Sequence, residues 1–426
     1  MFTRSEPDPS PDGPPELPVP VRAPLTAGGT ALAVLAVVLI SVNLRPGTAV
    51  GPLLQEILAH VGEGPMWGGL LTALPGVCFA VFGGIAVGAA TRIGIRHVLW
   101  LGMAAAAVGL LLRPFVTDGN LFLALTVLAL GGAAVGNVLL PAFIKLRFPG
   151  RIAVMMTVYS TLLAVGVTGA NAVAIPLAEI LPAGWQDSLA LWGLTAGLAA
   201  LPMLALALRV GPGRLRPRGA DPGPAMVRSP RALALGIFFG VQSLQAYTQF
   251  GWVPQIYRDG GLAADHAGLM ISLIAVFGIP AGLIMPTLVA TVRDLRWVVL
   301  TLGVLLVVGY LGLLLAPTAA PWAWAISLGI SAAAFPFALA LVTARSRDPQ
   351  VTARLSGFVQ TLGYALAAGG PLLVGVLRGA TGGWTVPLWL LVATAVPFVI
   401  SGWIACAPGH VDDELRRVTN PSPHGG

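Results

Sequence analysis

Charge is scarce in this sequence. Asp, Glu, Lys and Arg make up 10% of its 426 residues, whereas soluble domains carry about 25%. Together with a hydrophobic share of 56% and a mean hydropathy of +0.85, this excludes an ordinary water-soluble enzyme of two or three domains. Cysteine is nearly absent. Cys78 and Cys406 sit in separate apolar runs, so there is no disulfide framework. The 54 glycines and 36 prolines would suit a disordered chain, but the apolar excess points to a bilayer instead. A net charge of +7 and a pI near 10.2 ordinarily raise nucleic acid as a partner. Here the arginines fall in short clusters between apolar runs and form no basic face, which excludes that partner.

A helix needs about 20 apolar residues to cross about 30 Å of hydrocarbon. Twelve such runs are present, at 29–57, 67–91, 97–116, 120–144, 152–179, 187–209, 231–257, 265–291, 297–316, 321–343, 353–377 and 384–406. The ninth and tenth are separated only by Ala316–Pro321, whose two prolines make a turn. If both termini are cytoplasmic, 20 of the 24 basic residues lie on the cytoplasmic side. Arg113, Arg258 and Arg378 then face outside, and Arg45 lies within a span. The positive-inside rule thus supports an even number of spans in a multi-pass cell-membrane protein. Eight prolines in the first 24 residues, without a basic start or an apolar core, make a disordered tail rather than a cleaved signal.

The sequence divides into a tail at 1–27, a six-helix half at 28–209, a cytoplasmic linker at 210–230, a second six-helix half at 231–407 and a tail at 408–426. Two short recurrences support duplication. Ala80-Val81-Phe82-Gly83 returns as Ala275-Val276-Phe277-Gly278, and Arg147-Phe148-Pro149 returns as Arg347-Asp348-Pro349. The predicted fold class is therefore an all-α membrane protein of twelve helices in two pseudo-symmetric halves, with its binding site at the midplane between them. Glycine pairs spaced i, i+4 (84 and 88, 132 and 136, 236 and 240, 278 and 282) are expected to be packing positions.

Polar groups at membrane depth are the candidates for function. Arg45, in Asn43-Leu44-Arg45-Pro46-Gly47, is the sharpest, because a charge at the bilayer centre costs about 2.5–3.5 kcal/mol on insertion scales. Pro46 and Gly47 weaken the helix around it. None of the 17 acidic residues or five histidines is predicted mid-span, so a water-filled cavity that receives an anion is favoured over snorkelling. The guanidinium fork suits a carboxylate, cyanate or nitro group. Gln242, Gln245 and Gln249 share one helical face with Tyr247 nearby, and Gln360 and Tyr364 are i, i+4 neighbours. Asn137 and Asn171 suit a site or interhelical hydrogen bonds equally well.

The loop Gly88-Ala89-Ala90-Thr91-Arg92-Ile93-Gly94-Ile95-Arg96 is similar to the gating loop of major-facilitator proteins. Gly88, Arg92, Gly94 and Arg96 match it, whereas Thr91 replaces the acidic residue of its charge relay. More broadly, the sequence resembles the cyanate and 2-nitroimidazole transporter family of that superfamily. The likeness is carried by Asn43-Leu44-Arg45-Pro46, Gly136-Asn137-Val138-Leu139-Leu140-Pro141, Tyr159-Ser160, Gly240-Val241-Gln242-Ser243 with Tyr247, Trp252-Val253-Pro254, and Leu355-Ser356-Gly357 through Gln360 and Tyr364. It implies transport of cyanate-like anions or nitro-aromatic compounds, with Asn43, Arg45, Gln242, Tyr247, Gln360 and Tyr364 at the site.

The expectation is a monomeric, rocker-switch transporter of a small anionic or nitro/oxo-bearing solute. Its partners would be that solute and the lipid bilayer, with no cofactor, no metal and no catalytic residue. Multidrug efflux is the rival, disfavoured because drug pumps often place carboxylates within their spans. A non-transporting sensor is a further alternative.

Overall fold

The computed structural model describes residues 27–45, 50–210 and 226–419. The expected N-terminal tail, Pro46 and Gly47, most of the linker and the last residues of the C-terminal tail lie outside these. Among the described residues there is no β-strand. The helices are α1 Ala27–Asn43, α2 Leu54–Val61, α3 Pro65–Arg92, α4 Ile95–Leu112, α5 Gly119–Arg147, α6 Ile152–Ile180, α7 Trp185–Val210, α8 Pro230–Asp259, α9 Ala264–Val276, α10 Gly278–Thr291, α11 Arg296–Leu315, α12 Pro321–Ser331, α13 Ala334–Ala344, α14 Pro349–Thr381, α15 Thr385–Ala393, α16 Ala395–Cys406 and α17 Val411–Thr419.

Among the described residues, ten segments are long and apolar enough to cross a membrane. The other two expected spans differ for local reasons. The first is described in two parts: α1 has 17 residues and ends at Asn43, and a 3-10 turn at Gly51–Leu53 leads into α2. Pro46 offers no N–H to continue the ladder. The seventh, α8, has 30 residues, but its glutamines lower its hydropathy. The eighth, tenth and twelfth spans are kinked between α9 and α10, α12 and α13, and α15 and α16. In each, a proline (Pro280, Pro336 or Pro397) follows the break by three or four residues. A proline ring clashes with the carbonyl four residues earlier and leaves it without a donor, which accounts for all three kinks.

The two halves meet tightly at one end only. At the end away from α17, residues of both halves form one core, with Leu53, Ile57, Leu71 and Leu74 packed among Trp252, Val253, Ile256 and Ile271. There α3 and α14 touch backbone to backbone. A Cβ added at Gly375 would lie 2.6 Å from the Pro65 carbonyl and 2.7 Å from Gly69 Cα. An ion pair closes the same end: Arg258 Nη2 donates to Glu56 Oε1 at 2.8 Å, and Arg258 Nη1 donates to the Pro52 carbonyl at 2.9 Å. Glu56 is thus engaged in a cross-half bond.

At the opposite end, which carries α17 and is called here the terminal face, the halves separate around a cavity of about 1060 Å³. The expected glycine packing holds for Gly132, Gly136, Gly236 and Gly240, which abut Gly102, Leu44, Leu362 and Leu366. It fails for Gly84, Gly88, Gly278 and Gly282, where a Cβ would meet nothing within 4 Å. Of these, Gly278 and Gly282 line the cavity, and Gly84 and Gly88 are exposed on α3. The gating loop keeps the required turn: Gly94 has φ of +95° between α3 and α4, where a side chain would be strained. Arg92 is exposed on the terminal face and Arg96 is buried in the first turn of α4. Thr91 Oγ1 donates to the Gly88 carbonyl at 2.8 Å.

Candidate functional site

The cavity ends at mid-depth. Counting 1.5 Å per residue, Tyr247 lies about 25 Å along α8 from the terminal face and Tyr364 about 22 Å along α14. Arg45 comes to the same level from the broken end of α1. Its guanidinium lies over the Phe79 ring at 5.0 Å from the centroid and within hydrogen-bonding reach of the Tyr247 and Tyr364 hydroxyls. Tyr159 stands close by. Phenols are neutral partners at ordinary pH, so these contacts orient the guanidinium without cancelling its charge.

Aromatic packing fixes this cage. Tyr364 lies 6.0 Å from Phe79, 5.4 Å from Phe239 and 6.5 Å from Tyr247, measured between ring centroids. Phe239 in turn meets Phe335 at 5.8 Å. Below the cage, Tyr159 Oη donates to Asn137 Oδ1 at 3.1 Å, and both residues line the cavity. An inner pocket of about 150 Å³ branches from it. Its wall combines Arg45, Tyr247, Tyr364, Gln242, Ser243 and Gln249 with apolar side chains that include Phe250, Ile274 and Phe335.

The expected site residues divide into two groups. Arg45, Gln242, Tyr247 and Tyr364 line the inner pocket, while Asn137 and Gln360 line the outer cavity with Arg45 and Tyr364. Gln242 Nε2 is committed to the Phe239 carbonyl and to Ser243 Oγ at 2.6 Å, and Gln360 Nε2 donates to Ser356 Oγ at 2.9 Å. Two residues are placed elsewhere. Asn43 donates to the Leu39 carbonyl at 2.9 Å and accepts from Thr195 Oγ1 at 2.7 Å, tying α1 to α7. Gln245 is buried among the second-half helices, bonded to Thr394 and the Leu391 carbonyl and accepting from Tyr310. Gln245 is consumed by bonds to neighbouring helices, and Asn43 by one bond within α1 and one to α7, so neither amide is free to serve the opening. Asn171 is fully buried, and its Nδ2 donates to the Val167 carbonyl within α6.

Sequence reasoning missed Tyr159 and Phe335 as wall residues and Phe79 as the ring beneath Arg45. A signal existed for the first: there are only five tyrosines in the chain, and three of them converge on Arg45. The phenylalanines carried no such signal, since nothing distinguishes a cavity-facing Phe from a core Phe in an apolar helix. Among the described residues there is no cluster of His, Cys, Asp or Glu able to hold a metal.

Residues 30–371 match the Major Facilitator Superfamily. Over 375 residues the chain is 34% identical to an uncharacterized transporter, YycB, of Bacillus subtilis strain 168, covering 86% of this chain and 91% of that one. It is 30% identical over 389 residues to the 2-nitroimidazole transporter of Escherichia coli K12, covering 89% and 97%. It is also 30% identical over 353 residues to the cyanate transport protein CynX of the same organism, covering 82% and 90%. A bacterial homologue of the lysosomal transporter Spinster, solved inward-facing and occupied, superposes with a TM-score of 0.72 at 16% identity, over 89% of this chain and 97% of that one. The chain therefore belongs to the Major Facilitator Superfamily, within its cyanate and 2-nitroimidazole transporter family, and is a multi-pass membrane transporter rather than an enzyme.

Proposed function

We propose that this transporter moves a small anionic or nitro/oxo-bearing organic solute across the cell membrane by rocker-switch alternating access. Arg45 anchors the negative end of the solute, and Gln242, Tyr247, Gln360, Tyr364 and Asn137 orient it. The observation that carries this is a guanidinium at mid-depth, set among neutral phenols, at the closed end of a cavity that opens to one face. A charge that is costly at this depth is retained where an incoming anion can reach it. The relatives named for cyanate and 2-nitroimidazole support the same solute class.

The terminal face is the cytoplasmic one, which the distribution of basic residues supports. Among the described residues lining either cavity there is no carboxylate or imidazole. This favours exchange, or an anion travelling with its own proton, over a resident proton site. The test is counterflow in proteoliposomes. Wild-type protein preloaded with unlabelled solute should accumulate labelled cyanate or 2-nitroimidazole, and Arg45→Gln should not. Equal accumulation by both proteins would refute the anchor role.

A further inference from the structure

The inner pocket, of about 150 Å³ and with a largely apolar wall, is too large for a three-atom anion. We propose that its solute is a planar, single-ring aromatic acid, with the carboxylate on Arg45 and the tyrosine hydroxyls and the ring against Phe335, Phe250 and Ile274. This rests on the anion-transport proposal above and deepens it by naming the substrate class.

Three observations carry it. The first is size. A pocket of about 150 Å³ matches a cavity that, when apolar, accepts a benzene-sized ring. Cyanate would fill a fraction of it and leave much of the apolar wall without contacts. The second is the mixed lining. Arg45, two tyrosines and three further polar side chains share the wall with Phe250, Ile274 and Phe335. A solute complementary to this wall has one charged end and an apolar body. Phe335 is only partly buried and borders both cavities, so its face is available to a ring by offset or edge contact. The third is charge. Arg45 is the sole basic residue among the described residues lining either cavity. One fork matches one carboxylate, whereas a phosphate monoester carries about −1.5 to −2 and would bring a second charge without a cation to meet it.

The experiment is equilibrium binding to the purified full-length protein, using benzoate, its neutral isostere benzamide, cyanate and 2-nitroimidazole as probes. Wild type, Arg45→Gln, Phe335→Ala and Phe335→Leu are compared. Benzoate should bind more tightly than cyanate and at least about tenfold more tightly than benzamide, the scale of a lost charge-assisted pair. Phe335→Ala should weaken benzoate by about tenfold, with Phe335→Leu in between, and leave cyanate within a factor of two. Phe335→Leu also controls for folding, since it keeps most of the volume.

Cyanate binding more tightly than benzoate, or benzoate indifferent to Phe335→Ala, would overturn the aromatic-acid proposal while leaving the anion anchor standing. Benzamide binding as well as benzoate, with Arg45→Gln without effect on any probe, would overturn both.

Discussion

The contact between α3 and α14 away from the terminal face should set the balance between the two open conformations. Gly375→Ala tests it. The added Cβ would lie 2.6 Å from the Pro65 carbonyl oxygen, 2.7 Å from Gly69 Cα and 3.0 Å from Gly69 N. All three are backbone atoms, so no rotamer change relieves the clash and the helices themselves must part. Overpacking of this kind costs about 1–3 kcal/mol. Replacing Gly by Ala within a helix returns up to about 1 kcal/mol, but it does so in both conformations because α14 stays helical. The difference between the conformations is therefore about 1–3 kcal/mol, or a shift of about 5–150-fold toward the terminal-closed state. If the two states start balanced, the terminal-open fraction falls from a half to about a sixth at the low end of that range. A cysteine at Thr343, an exposed cavity-wall position, reports the opening through its rate of reaction with a membrane-impermeant maleimide. The native Cys78 and Cys406 are buried and contribute little background. Unchanged labelling of a Gly375→Ala protein that elutes and folds like its parent would refute the role given to this contact.

Other perturbations follow from the same geometry. Gly282→Leu, at a position where a Cβ meets nothing within 4 Å, should leave thermal stability near wild type. It should also raise Thr343→Cys labelling and abolish counterflow, because the parted surfaces can no longer close. Glu56→Gln removes the charge that holds Arg258 across the halves. Both groups are partly exposed, so the cost is at most about 1 kcal/mol, seen as a fewfold drop in Thr343→Cys labelling. On the terminal face, Asp412 accepts from the backbone N–H groups of Arg347 and Asp348, each at 3.0 Å. Burial opposes its charge, but those two donors outweigh the burial and hold its carboxyl below the usual value. A lowered carboxylate stabilises docking of α17 above its unfolded pKa of about 4 and loses that contribution as pH falls through the lower folded value. The protection factors of residues 411–416 should therefore be high at neutral pH and fall on acidification, and Asp412→Ala should show the lowered protection at neutral pH.

Much of the fold could be read from hydropathy because lipid forces every backbone group to pair within its own helix. Ten spans emerged where long apolar runs predicted them. What hydropathy missed was internal. The prolines at 280, 336 and 397 lay in plain view inside predicted spans, yet whether a proline breaks a helix depends on packing around it: Pro75, Pro141 and Pro202 lie within unbroken helices. Arg45 was legible because a charge among apolar residues is expensive, and Tyr247 and Tyr364 followed from their placement on the seventh and eleventh spans. The amides were not separable in the same way. Gln242 and Gln245 are adjacent on one helical face, but α8 turns the first toward the opening and the second toward Tyr310 and Thr394. A few tens of degrees of helix rotation, set by tertiary packing, decided between them. The glycine pairs show a related limit: identical i, i+4 spacing serves a closed contact at Gly236 and Gly240 and an open surface at Gly278 and Gly282.

The most direct test of Arg45 as the anion anchor is calorimetric titration of 2-nitroimidazole and benzoate into wild type, Arg45→Lys and Arg45→Gln. Arg45→Gln should lose benzoate affinity by about a hundredfold, the upper range for a charge-assisted pair. Arg45→Lys should recover only part of it, since a point charge replaces a planar fork. Equal benzoate affinity in all three proteins would show that Arg45 does not anchor the anion.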